Sequence, residues 1–126
     1  MKEDAVYLRH MLECIRRIEE NSAGGRAQFM GSHTLQDAVL RNLQTLAEST
    51  QRLSRALTDT QPAIPWRRIA VFRNVLVHNY LGIDLDTIWD ILQRDVPPLK
   101  RAVVVMLERE VCGVSCAEPG TGADAQ

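Results

Sequence analysis

Apolar residues return at steps of three and four along most of this chain. Leu8, Met11, Leu12, Ile15 and Ile18 fall on one face of a helix predicted over residues 3–22, with Arg and Glu opposite. Asn21-Ser22-Ala23-Gly24-Gly25 stops it, because glycine accepts the left-handed conformation at a helix end. Residues 26–33 read as a connection ending at Ser32 or Thr34, and Thr34 with Asp37 three residues later resembles a weak capping arrangement. A long second helix is expected from about Leu35 to Leu57, with Leu35, Val39, Leu43, Leu46, Leu53 and Leu57 as its stripe. Arg41, Glu48, Gln51, Arg52 and Arg55 read as its solvated side.

Pro62 and Pro65 break that pattern, and Pro65 suits the first turn of a third helix over residues 65–79. Gly82-Ile83-Asp84 reads as a turn, with Asp84 or Asp86 capping a fourth helix from near Leu85. Asp95-Val96-Pro97-Pro98 marks a break, after which Leu99–Arg109 is again helical. From Cys112 onward the composition turns to Gly, Ser, Pro and Ala, so residues 113–126 read as a disordered tail. No strand pattern and no internal repeat emerges. The expectation is one all-α domain over residues 1–112, an antiparallel bundle of four or five helices.

Composition adds little to this and excludes some functions. The formal net charge is −1, so the chain lacks the global basic field of a general nucleic-acid binder. Its cations are nearly all arginine, with only Lys2 and Lys100 as lysines, which keeps local phosphate contact open. Cys14, Cys112 and Cys116 are an odd set without a secretory segment, which points to a reducing cytoplasm. Cys112 and Cys116 lie four apart with no second ligand pair, so no metal site is expected. No apolar run approaches the roughly 18 residues of a membrane span.

The chemistry concentrates in Trp66–Tyr80, where Arg73, Asn74, His78 and Tyr80 interrupt an otherwise apolar helix. Burying such groups is costly unless they are paired or used. Asn74 and His78 lie about 40° apart on a helix, whereas Arg73 and His78 lie about 140° apart. Those two converge in one chain only through the long arginine side chain or a loosened helix end near His78. Taken singly, His78 reads as a hydrogen-bonded core residue, Trp66 and Trp89 as core anchors, and His10 and His33 as surface residues. Arg67 and Arg68 read as a solvated face that could extend a phosphate-binding patch beside Arg73.

The joint pattern Arg73-x-x-x-x-His78-x-Tyr80, with Asn74 directly after the arginine, resembles the motif of the HEPN superfamily of RNases. Pro65-Trp66-Arg67-x-Ile69 before it, and Leu81-x-Ile83-Asp84, Ile88-Trp89 and Leu92 after it, resemble the HepT toxin family. Asp37-Ala38-Val39-x-Arg41-Asn42-Leu43 and Asp95-x-Pro97-x-Leu99 extend the likeness over about residues 4–110. Leu46-Ala47-Glu48-Ser49 stands where the family often carries Gly-Glu-Ala, and Val71 where it often carries Gly.

The resemblance implies the toxin of a HEPN/MNT toxin–antitoxin system, type VII-like, cutting RNA (tRNA among the candidates) without a metal or other cofactor. It implies a homodimer whose interface includes the third helix, and a nucleotidyltransferase antitoxin as partner. Arg73, Asn74 and His78 match the catalytic positions. An imidazole, with an ordinary pKa of about 6.5, serves as acid or base at neutral pH, and an arginine clamps phosphorane charge. One histidine per chain does not easily fill both roles, which a two-fold cleft would solve. Tyr80 matches the tyrosine that accepts AMP from the antitoxin, an anion expected to fill the phosphate site beside Arg73. A different reading makes the chain a non-catalytic subunit of a nucleotidyltransferase, binding a nucleotide or presenting Tyr80.

Overall fold

A computed structural model describes residues 2–116 of the 126. The chain forms α1 (Lys2–Ser22), α2 (Arg26–Met30), α3 (His33–Thr50), α4 (Arg55–Thr58), α5 (Trp66–His78), α6 (Leu85–Arg94) and α7 (Val96–Cys116). A 3-10 turn, Tyr80–Gly82, follows α5. All of the regular structure among the described residues is helical, and five helices reach ten residues or more. The expected all-α bundle is the observed architecture. No helix among the described residues is long and apolar enough to cross a membrane.

The apolar stripes account for the packing. Leu8, Met11, Ile15 and Ile18 of α1 are buried against α3 and α7. Val39, Leu43 and Leu46 of α3 and Val103 and Met106 of α7 complete that core. Each such side chain taken fully out of water contributes about 1.5–3 kcal/mol. α5 lies along α3, and α6 packs on α7.

Two boundaries differ from the sequence reading. Residues 26–33 hold a short helix, α2, rather than a plain connection, and its Phe29 is fully buried against Trp89, ring centroids 5.5 Å apart. Gly25 enters α2 at φ 95°, a region glycine occupies without strain. Gln36, itself buried, donates Nε2–H to the carbonyls of Phe29 and Met30 at 3.0 Å each and so satisfies the end of α2. The N-cap of α3 is Ser32, whose hydroxyl accepts from the Leu35 amide. Of the two ends expected, Ser32 rather than Thr34 is the cap.

The second predicted helix stops at Thr50, not Leu57. The chain turns over 51–54 and restarts as α4, capped by the Ser54 hydroxyl on the Leu57 amide. Leu53 and Leu57 are buried as expected, Leu53 from the turn and Leu57 from α4. Asp4 of α1, 3% exposed, fixes this turn by accepting from the Ser54 amide at 2.8 Å and its hydroxyl at 2.7 Å. The break at Asp95 is as expected, with Pro97 and Pro98 in the first turn of α7. That helix runs on through Cys116, so residues 113–116 are helical rather than part of a tail. The tail expected over 117–126 lies outside the described residues.

Candidate active site

α5 is fixed at both ends. At its start Trp66, half-buried, donates its indole N–H to the carbonyls of Thr58 and Gln61, both at 3.1 Å. Pro65 sits just outside the helix at the N-cap. At its end the Asn79 amide still bonds the Val75 carbonyl at 2.9 Å, so the helix is regular through His78. Loosening near His78, one of the two routes expected to bring it to Arg73, does not occur.

The helix therefore presents two faces. Ile69, Phe72 and Leu76 pack toward α3, with Leu76 1% exposed at the centre. At about 100° per residue, Arg67, Val71, Asn74 and His78 fall within about 60° of one another on the other side. All four are exposed, Val71 at 57%, and Val75 beside them at 42%. His78 is thus a solvent-facing imidazole rather than a core residue, and it makes no hydrogen bond among the described residues. Arg68 is exposed as well, and with Arg67 borders an apolar groove of about 880 Å³ between α5, α6 and the start of α7. Val71 and Val75 line the groove on one side, Ile91 and Val96 on the other.

Arg73 occupies the flank between the two faces. Its Nη2 lies 3.5 Å from Glu48 Oε2 on α3, and its Nη1 donates to the Asn74 side-chain carbonyl at 3.1 Å. Its Nε is buried without a partner. The guanidinium lines a polar recess of about 330 Å³ with Glu48, Gln51 and Arg52. Within one chain, then, Arg73 and Asn74 come together, while the Arg73 head group turns to α3 and His78 to solvent.

Tyr80 leaves the helix axis in the 3-10 turn, so the near-eclipsed relation to Arg73 expected of a continuous helix is absent. Its hydroxyl donates to Asp37 Oδ1 at 3.0 Å. Partial burial, then the hydrogen bond and charge of Asp37, push the phenol above its usual range. Asp37 and Glu48 are eleven residues apart on α3, roughly 16 Å along one face. The anchors of Tyr80 and Arg73 are separated by that distance, so the hydroxyl does not adjoin the guanidinium as expected. His78 is its nearer neighbour in the chain, two residues before it.

The remaining residues are plainly placed. His10 and His33 are exposed, His10 edge-on to Tyr7, and Trp89 packs against the core. Cys14 is buried and Cys112 exposed. The side chain of Cys116 lies outside the described residues. Asp37 and Arg52 carry no sign of chemistry in the sequence. Asp37 stood in the stretch that carries the family likeness, but nothing in that stretch indicates a partner 43 residues away.

A family model described as "Ribonuclease HepT-like" matches residues 11–106. "Gamma-glutamylcyclotransferase and putative RNase MJ0434" of Methanocaldococcus jannaschii is 33% identical over 85% of this chain, which spans 49% of that relative's length. "Putative RNase TTE0752" of Caldanaerobacter subterraneus subsp. tengcongensis is 30% identical over 87% of this chain and 99% of its own. "Probable ribonuclease HepT" of Thermococcus cleftensis is 33% identical over 75% of this chain and 86% of its own. No solved structure gives a significant match. With α5 carrying the Arg73–Tyr80 motif inside the matched span, this chain belongs to the HepT-like ribonuclease family.

Proposed function

We propose that this chain is an RNA-cleaving toxin of a HEPN/MNT toxin–antitoxin pair, working as a homodimer built over the exposed face of α5. The observation that carries this reading is the placement of a free imidazole, His78, on the same face as Asn74 and two exposed valines. Exposed apolar side chains beside a groove favour a partner surface. A second copy related by a two-fold axis would bring two histidines and two arginines to one cleft. One imidazole takes the proton of the ribose 2′-hydroxyl as its oxygen attacks phosphorus. The other protonates the departing 5′-oxygen. Arg73 binds the charge that builds on the phosphorane, and Asn74, bonded to it, sets its orientation. Arg67 and Arg68 extend phosphate contact along the rim.

Tyr80 is the modification site in this reading, accepting AMP from a nucleotidyltransferase antitoxin. The added phosphodiester carries one negative charge and a nucleoside two residues from His78. It therefore obstructs the RNA path at the imidazole rather than at Arg73.

His78→Ala and Arg73→Ala test the mechanism. Both are expected to abolish RNA cleavage and growth inhibition while remaining dimers by size-exclusion chromatography, whereas Val71→Glu loses dimer and cleavage together. Cleavage by His78→Ala at the wild-type rate would overturn the reading.

A further inference from the structure

A hydroxyl becomes a nucleophile when something accepts its proton, and the one hydroxyl at issue already points at an acceptor. Tyr80 Oη lies 3.0 Å from Asp37 Oδ1, across 43 residues of sequence and between two elements. The tyrosine ring is half-buried against the core, which fixes where its oxygen sits, while Asp37 is exposed at the surface of α3. The bonded pair is therefore both held and reachable by a second protein. Tyr7, the chain's other tyrosine, stands edge-on to His10 and has no carboxylate on its hydroxyl among the described residues.

We propose that Asp37 is the catalytic base that activates Tyr80 for nucleotidyl transfer, a step that rests on the AMP-acceptor reading above. Tyr80 Oη attacks the α-phosphorus of a nucleoside triphosphate. The new O–P bond forms as the P–O bond to pyrophosphate breaks, pyrophosphate leaves with that electron pair, and the phenolic proton passes to Asp37. The desolvated phenol is pushed up, so little phenolate exists at neutral pH and transfer depends on an acceptor at this position. Transfer also ends the contact. The product oxygen has no hydrogen to donate, and its phosphodiester stands beside the Asp37 carboxylate. The 3-10 turn thereby loses its tie to α3.

Full-length wild type, Asp37→Asn, Asp37→Glu and Tyr80→Phe decide this in two arms, read as site-resolved modification rates by mass spectrometry. One arm supplies ATP with Mg²⁺ and a minimal nucleotidyltransferase. The other supplies an adenosine-bearing aryl sulfonyl fluoride, which takes a phenol oxygen with loss of fluoride and needs no partner. Asp37→Asn is expected to slow Tyr80 modification at least tenfold in both arms, as loss of a general base does. Sulfonylation of Tyr7 should stay unchanged, which reports an intact fold, and Asp37→Glu should recover part of the loss. Asp37→Asn reacting at the wild-type rate at Tyr80 overturns the proposal alone. A wild-type chain that takes no AMP while reacting with the sulfonyl fluoride overturns the acceptor reading beneath it.

Discussion

Arg73 Nη2 stands 3.5 Å from Glu48 Oε2, so the guanidinium proposed to bind the phosphate is steadied by α3 and not by its own helix alone. Both side chains are about one-third or more exposed, so the ion pair is screened and adds at most about 1 kcal/mol to stability. Its value lies in geometry. Glu48→Gln should leave the melting temperature within a few degrees of wild type. RNA cleavage should fall by about ten- to a hundredfold, because small displacements of a positioning group cost that much. A melt and a single-turnover time course separate the two effects.

A cleft that needs both histidines has a stoichiometric consequence. When wild type and His78→Ala are mixed in equal amounts and allowed to exchange subunits, only dimers with two intact chains should cut. Activity then falls to about one quarter of an all-wild-type sample. A site needing one imidazole per cut would leave about one half. Titrating the mixture across several ratios distinguishes a squared from a linear dependence.

Asp4 is buried and accepts two hydrogen bonds from Ser54. Asp4→Ala strands the amide and hydroxyl of Ser54 at the turn before α4, and should destabilise by about 1–3 kcal/mol. Asp4→Asn keeps an acceptor and should lose less. The midpoint of urea unfolding checks both.

The phenol of Tyr80 is raised in the folded chain by burial and by Asp37. A raised group holds its proton longer folded than unfolded. Its stabilising contribution is therefore fully present below the unfolded value of about 10 and is lost as pH rises through the folded one. Wild type should lose stability along this alkaline limb more steeply than Tyr80→Phe. In a Tyr7→Phe background, tyrosinate absorbance should report a single phenol ionising above the usual range, and Asp37→Asn should return it toward that range.

The periodicity of apolar residues was a faithful record of burial and a poorer one of continuity. Leu53 and Leu57 extend the stripe of Leu43 and Leu46 in the sequence and are buried as that predicts. Yet Leu53 does so from the turn after α3 and Leu57 from α4, because a three- to four-residue repeat is satisfied equally by one helix or by two segments that face the same core. The short α2 left no such repeat. Its five residues offer one buried anchor, Phe29, and a pattern needs at least two turns to declare itself.

The chain's linear order sufficed for the helical class, the break at Asp95, and the motif from Arg73 to Tyr80. Each depends on local geometry or on residue types at fixed spacing. The rest was decided by which helices lie against one another. Packing of α5 on α3 turned Arg73 toward Glu48 and handed the Tyr80 hydroxyl to Asp37. It also left His78 in solvent. Contacts between residues 25 and 43 positions apart follow from burial of the Ile69–Phe72–Leu76 face. That is a global free-energy balance which no short stretch of sequence contains.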